Sequence, residues 1–197
     1  SMGGAPIDEL NDGLTVFKDE LLADSLATKR VEPAIITFGN RVEVAADFVT
    51  ADAFDPPVLT VSGSTPMGEA VNRALDLIAE RKRLYQDHGI SYYRPWIFLI
   101  TDGGPTDGTI WQSAAKRARE EQARKAITFF ALGVAGANMD VLKEFTVSPP
   151  LTLKGLKFRE LFAWLSASLK SVSRSSPGDD VHLEDPTGPG GWGRVEA

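Results

Sequence analysis

The chain reads as an α/β domain: a doubly wound, mostly parallel sheet with helices on both faces and one antiparallel edge strand. Three observations point there. Trp96 to Ile100 is an unbroken apolar run without period-two alternation, and Ile127 to Val134, mostly apolar, reads as another strand buried on both sides. Strands covered on both faces carry such runs. Amphipathic helical stripes separate the strand-like segments, so strand and helix alternate along the chain. Finally, the first run stops on Thr101-Asp102-Gly103-Gly104-Pro105. That turn puts a carboxylate at the carboxyl end of a buried strand, where open α/β sheets bind ligands.

Taken in order, Ile7, Leu10, Leu14, Phe17 and Leu21 recur at helical spacing with Pro6 near the first turn. Val31 to Phe38 follows as a strand. Gly39-Asn40 turns it into Arg41 to Ala45, where polar and apolar residues alternate, giving a hairpin at a sheet edge. From Ala46 to Ser62 the pattern is irregular and Pro56-Pro57 breaks it. Gly63 to Gly68 opens a helix carried by Met67, Val71, Leu75, Ile78 and Leu84, and His88-Gly89 suits its end through a left-handed cap. Ile110 to Arg124 predicts a helix rich in Ala and charge. A short helix at 139–145 and a short strand at 151–153 precede the last helix, whose stripe is Phe158, Leu161, Phe162, Leu165, Leu169 and Val172. Residues 1–173 form one domain. Residues 174–197, rich in Ser, Pro, Gly and Asp, form a tail that could dock through Trp192.

Composition narrows the functions. The formal charge of −6, with Lys and Arg interleaved among Asp and Glu, excludes nucleic acid and anionic membrane as expected partners. There is no cysteine, hence no disulfide, thiolate nucleophile or Cys-based zinc site. With no apolar run near 18 residues and no signal peptide at the start, the expectation is a cytoplasmic protein.

The residues that could carry chemistry are few. Thr65, ahead of the Met67 helix, and Asp102 belong on one sheet edge. A hydroxyl and a carboxylate oxygen together suit a hard cation such as Mg²⁺, which keeps water in its other positions. The same residues could instead be a helix cap and a turn cap. Asp102 and Asp107 could be the paired carboxylates of a Mg²⁺-dependent hydrolase or phosphatase, but no nucleophile or His accompanies them. A solvated loop acid is the plainer role for Asp107. His88 and His182 are the only histidines, which leaves no His-rich metal site. Gly133-x-x-Gly136 is a partial glycine pattern that opens no helix and is a poor sign of nucleotide. Tyr92, Tyr93, Arg94 and Trp96 read either as a partner-binding patch or as packing under the sheet edge.

Ser-Met-x-Gly-x-Pro-Ile at the start, Gly-x-Thr-Pro-Met-Gly at 63–68 and a strand ending Ile-Thr-Asp-Gly resemble the von Willebrand factor A (VWA) family. The stretch 94–107 and Leu161-Phe162-x-Trp164-Leu165-Ser166 resemble its bacterial tellurium-resistance-associated, TerY-like branch. The resemblance implies a metal-ion-dependent adhesion site built by three loops, with Thr65 matching the second loop, Asp102 the third and Ser1 the last Ser of the first. The Asp-x-Ser-Gly that should precede Ser1, and the strand before it, are absent from the sequence. The metal set is therefore Ser1, Thr65 and Asp102, an incomplete Mg²⁺ site. Pro66, Gly103, Gly104, Pro105, Thr106 and Asp107 would form a mobile, exposed rim around it, since they offer little apolar surface to hold them down.

What the resemblance implies is a non-enzymatic binding module that meets an acidic side chain of another protein and serves a bacterial tellurite or stress response. In that family the first strand lies between the strands at 31–38 and 96–101. Its absence should leave a gap, resolved by a rearranged sheet or direct pairing of those two strands, by strand exchange in a homodimer, or by the tail, in that order of expectation.

Overall fold

The computed structural model describes residues 2–134 and 136–195. Its elements are α1 (Ala5–Leu22), α2 (Ala27–Arg30), β1 (Ile35–Phe38), β2 (Val42–Ala46), α3 (Met67–Asp87), β3 (Trp96–Thr101), α4 (Ile110–Ala123), β4 (Thr128–Gly133), α5 (Met139–Phe145), β5 (Leu151–Leu153), α6 (Phe158–Ser173) and β6 (Gly193–Val195). Four strands make one sheet in the order β3-β4-β5-β6, and β3, β4 and β5 run parallel. Trp96 sits opposite Thr128 and Thr101 opposite Gly133, while Leu132 faces Leu151. The architecture is α/β: a mostly parallel sheet flanked by helices, with β1 and β2 joined as a separate antiparallel hairpin.

The hairpin turns at the expected place, and the strand order is rearranged from the one the family resemblance implies. β1 pairs with β2 and β3 with β4, and β1 and β3 do not pair with each other. The tail supplies β6, which borders β5 at the opposite edge of the sheet from β3. Direct pairing and a tail-filled slot are both corrected by this strand order. β3 thus carries the sequence of an interior strand at a sheet edge. β1 also starts later than Val31, because Val31 to Ala34 makes no ladder.

The described residues group into two compact units. The first holds the residues up to Thr37, Val44–Val61 and Leu153–Arg194. In it the stripe of Leu10, Leu14, Phe17 and Leu21 is buried, as are Phe158, Leu161, Phe162 and Leu165 of α6. Phe17 meets Phe162 at a 5.7 Å ring separation and Phe54 at 6.4 Å. Burying a side chain of this size contributes about 1.5–3 kcal/mol. Asp24 accepts the backbone N–H groups of Leu26 and Ala27, which starts the short α2. The tail does dock through Trp192: its ring is 2% exposed and stands edge-on to Trp164, whose indole N–H donates to the Glu184 carbonyl at 2.8 Å.

The second unit holds Phe38–Glu43, Ser62–Thr152 and Val195. Alternation in β3 and β4 sends Ile97, Leu99, Phe129 and Ala131 into its core, where Phe129 stacks on Phe145 of α5. Trp96, Phe98 and Phe130 cluster on the other face, with Phe98 and Phe130 stacked at 4.5 Å. Trp96 is therefore a packing residue. Tyr92 likewise lies against α3, accepting from Gln86 and facing Tyr85 at 5.9 Å. α3 ends as expected, with Gly89 at φ 64° and the Ile90 N–H returning to the Tyr85 carbonyl. The His88 Nδ1 donates to the carbonyl of Leu84.

Candidate functional site

Two loops of the second unit meet at the carboxyl end of β3. One follows β3, the other leads into α3. The first turns at once because Thr101, 3% exposed, accepts the Gly103 N–H on its hydroxyl at 3.2 Å while its carbonyl takes the Val134 N–H. The side chain thus bends the chain directly after the ladder ends, and Asp102 stands at the bend.

The second loop is fixed from both sides. The Ser64 hydroxyl donates to the Gly39 carbonyl at 2.9 Å, tying the loop to the hairpin turn. Thr65 and Thr106 then exchange hydrogen bonds: the Thr65 N–H donates to the Thr106 hydroxyl at 2.8 Å, and the Thr106 N–H to the Thr65 carbonyl at 2.9 Å. Close approach of α3 and α4 brings these loops together. A side chain on Gly68 would begin 2.5 Å from the Trp111 backbone, so only glycine fits there.

Thr65 is half-buried and does not cap α3. The helix starts from Pro66, which has no capping side chain, and Asp107 caps it from the other loop by accepting the Glu69 N–H at 3.0 Å. The first-turn N–H groups of a helix need such an acceptor. Asp107 is therefore no solvated loop acid, which corrects the sequence expectation. Its second oxygen, Oδ1, is buried with no hydrogen-bond partner among the described residues. One more expectation changes here: Pro66, placed on the rim by sequence, is buried, while three hydrogen bonds tie Thr106 and Asp107 of the rim to the loop and first turn of α3.

Freed from capping, the Thr65 hydroxyl makes no hydrogen bond among the described residues. It lies 3.5 Å from the point where a Gly103 side chain would begin. The structure thus brings Thr65 to the Asp102-Gly103 turn. Gly104 and Thr106 are exposed beside it, and Gly103, Pro105 and Asp107 half-buried. Ser1, the third residue expected at the site, lies outside the described residues. A hydroxyl and a carboxylate are donors that suit Mg²⁺ with water filling its other positions. No cluster of three or more His, Cys, Asp or Glu able to hold a metal occurs among the described residues.

Sequence reasoning missed Thr106 and Asp107 as the clamp between the loops. The sequence hid it, because Thr65 stands before Pro66 where a cap would, and only the meeting of the loops puts Asp107 in that place. A separate groove of about 670 Å³ runs along α4 and α5, lined by Trp111, Lys116, Arg119, Glu144 and Val147, and includes neither loop. No helix among the described residues is long and apolar enough to cross a membrane.

No family model and no curated protein matches the chain. Among solved structures it is similar to the ArnB paralog VWA2 from Sulfolobus acidocaldarius, at 14% identity and a TM-score of 0.45. That likeness covers 80% of this chain and 39% of the other, so the chain spans about two fifths of that protein's length.

Proposed function

We propose that the Thr65 and Asp102 loops form the recognition surface of a non-enzymatic, VWA-type protein-binding module. In this reading a divalent cation, Mg²⁺ by the hardness of the donors, is held by the Thr65 hydroxyl and the Asp102 carboxylate. The cation supplies a positive centre for an acidic side chain of another protein. By its motif resemblance alone, such a module would serve a bacterial tellurite or stress response.

One observation carries the reading. The Thr65 hydroxyl has no hydrogen bond among the described residues and faces the turn of Asp102 and Gly103. A threonine ahead of a helix is ordinarily used up as a cap. Here Asp107 takes that task, and the hydroxyl is left for something else. The protein's own part is positional: the Thr65–Thr106 exchange and the Asp107 cap hold the Thr65 loop against the loop that carries Asp102.

Pull-down of partners in the presence and absence of Mg²⁺ tests the reading. Capture should need Mg²⁺ and should fail for Asp102→Ala and Thr65→Ala chains that retain their helical signal. Capture that ignores both the cation and these substitutions would refute it.

A further inference from the structure

A second surface lies in the first unit, on the irregular stretch between β2 and α3. The Asn11 side chain of α1 bonds Leu59 twice: its Nδ2 donates to the Leu59 carbonyl at 3.0 Å, and its Oδ1 accepts the Leu59 N–H at 2.8 Å. One residue offers both groups to the same side only when its backbone is extended, as in a hydrogen-bonded pair of an antiparallel ladder. The Asn11 amide takes the place of the opposing strand. It follows that the Val58 C=O and the Thr60 N–H, which share peptide planes with Leu59, point the opposite way, and no hydrogen bond reaches Val58 or Thr60 among the described residues. Val58 is 83% exposed and Val61 47%, and Thr60 is exposed between them. Val and Thr favour strands. Pro56 and Pro57 lack N–H donors and end the edge on one side.

We propose that Val58 to Val61 is a preformed strand edge that binds an extended peptide of another protein, one alternating apolar and basic residues. Charge selects this occupant. Residues 44–64 contain Asp47, Asp52 and Asp55 and no Lys or Arg. The Asp55 carboxylate is 96% exposed, although Lys18 approaches it at 3.3 Å. The Thr50 hydroxyl, and more weakly the charge of Lys29, hold the Asp52 carboxyl below its ordinary range. A second copy laid on the same edge would set these acids against each other, and like charges across a strand pair are unfavourable. A strand bearing Lys or Arg meets the opposite sign. Main-chain bonds to Val58 and Thr60 would give the affinity and the Asp residues the selectivity. This surface uses neither Thr65 nor Asp102 and stands whether or not those residues hold a metal.

The test is NMR titration of the whole chain with acetyl-Lys-Val-Lys-Val-Thr-Val-Lys-amide, in EDTA and low salt. The Val58 and Thr60 amides should shift together. Thr60→Pro removes one N–H and suits the extended residue before it, so it should weaken binding about tenfold. The Asp52→Asn, Asp55→Asn pair should weaken binding several-fold and flatten its salt dependence. A peptide N-methylated at alternate residues should not bind, a readout that leaves the protein untouched. Equal binding of the N-methylated peptide, indifference to Thr60→Pro, or loss of binding in EDTA would overturn the proposal. So would a concentration-dependent dimer abolished by Thr60→Pro, which would assign the edge to a second copy.

Discussion

At the scale of single residues, the clearest departures from sequence reasoning are side chains that work for an element far along the chain. Asp107 caps a helix whose first turn lies 38 positions earlier. Thr65 and Asp102 were legible because each sits in a recognisable local pattern, whereas the Asp107 role exists only once the loops have met. Asp107→Ala should cost about 1 kcal/mol in urea unfolding, with Asn at the same position restoring most of it. Lys125 holds φ 55° after α4, and its N–H and that of Ala126 return to the carbonyls of Gln122 and Glu121. This is the left-handed helix ending that glycine normally fills, so Lys125→Gly should raise stability by about 0.5–1 kcal/mol. Asp24 titrates below the ordinary aspartate value of 3.8, chiefly through the Ala27 N–H and then through Arg174 and Leu26. Its folded pKa lies under its unfolded one. The contribution is therefore complete above the unfolded pKa and is lost as pH falls through the folded value. Asp24→Asn should flatten the acid limb of the stability profile below about pH 4, and carbonyl chemical shifts of Asp24 should report a midpoint below 3.8.

At the scale of elements, periodicity gave nearly everything that is long. The stripes of α1, α3 and α6 and the apolar runs of β3 and β4 correspond to the observed helices and strands. Two short elements escaped, although the short helix at 139–145 and the short strand at 151–153 were legible. α2 has four residues and β6 three, too few for either period to repeat. Their existence depends on contacts: Asp24 with the first N–H groups of α2, and the Lys154 N–H with the Trp192 carbonyl at 2.8 Å beside β6. The junction of α3 and α4 is the element-scale feature that positions the site. A methyl group on Gly68 would press on the Trp111 backbone, which cannot swing aside as a side chain can. Gly68→Ala should cost about 1–3 kcal/mol and separate the two loops, seen as shifted Thr65 and Thr106 amides. A substitution with neither effect would mean that the helix starts do not set the loop geometry.

At the scale of the whole molecule, the class of fold and the β1–β2 hairpin were readable and the order of the larger sheet was not. Alternating strand and helix patterns define an α/β sheet, but no local pattern states that β3 ends its sheet or that β1 pairs with β2 alone. Sheet order is a property of the assembled chain, decided by which edges meet. The site follows the same logic. Its two donors come from loops on either side of α3 and β3, and hydrogen bonds between the loops bring them together. The proposed function rests on that meeting. A Mg²⁺ titration followed by amide NMR tests it most directly. Thr65, Asp102 and Gly103 should shift as a group with a dissociation constant on the order of 1 mM, weak because two side chains supply the protein's donors, and Asp102→Asn should abolish the response. Shifts confined to other residues, or the same titration unchanged in Asp102→Asn, would contradict it.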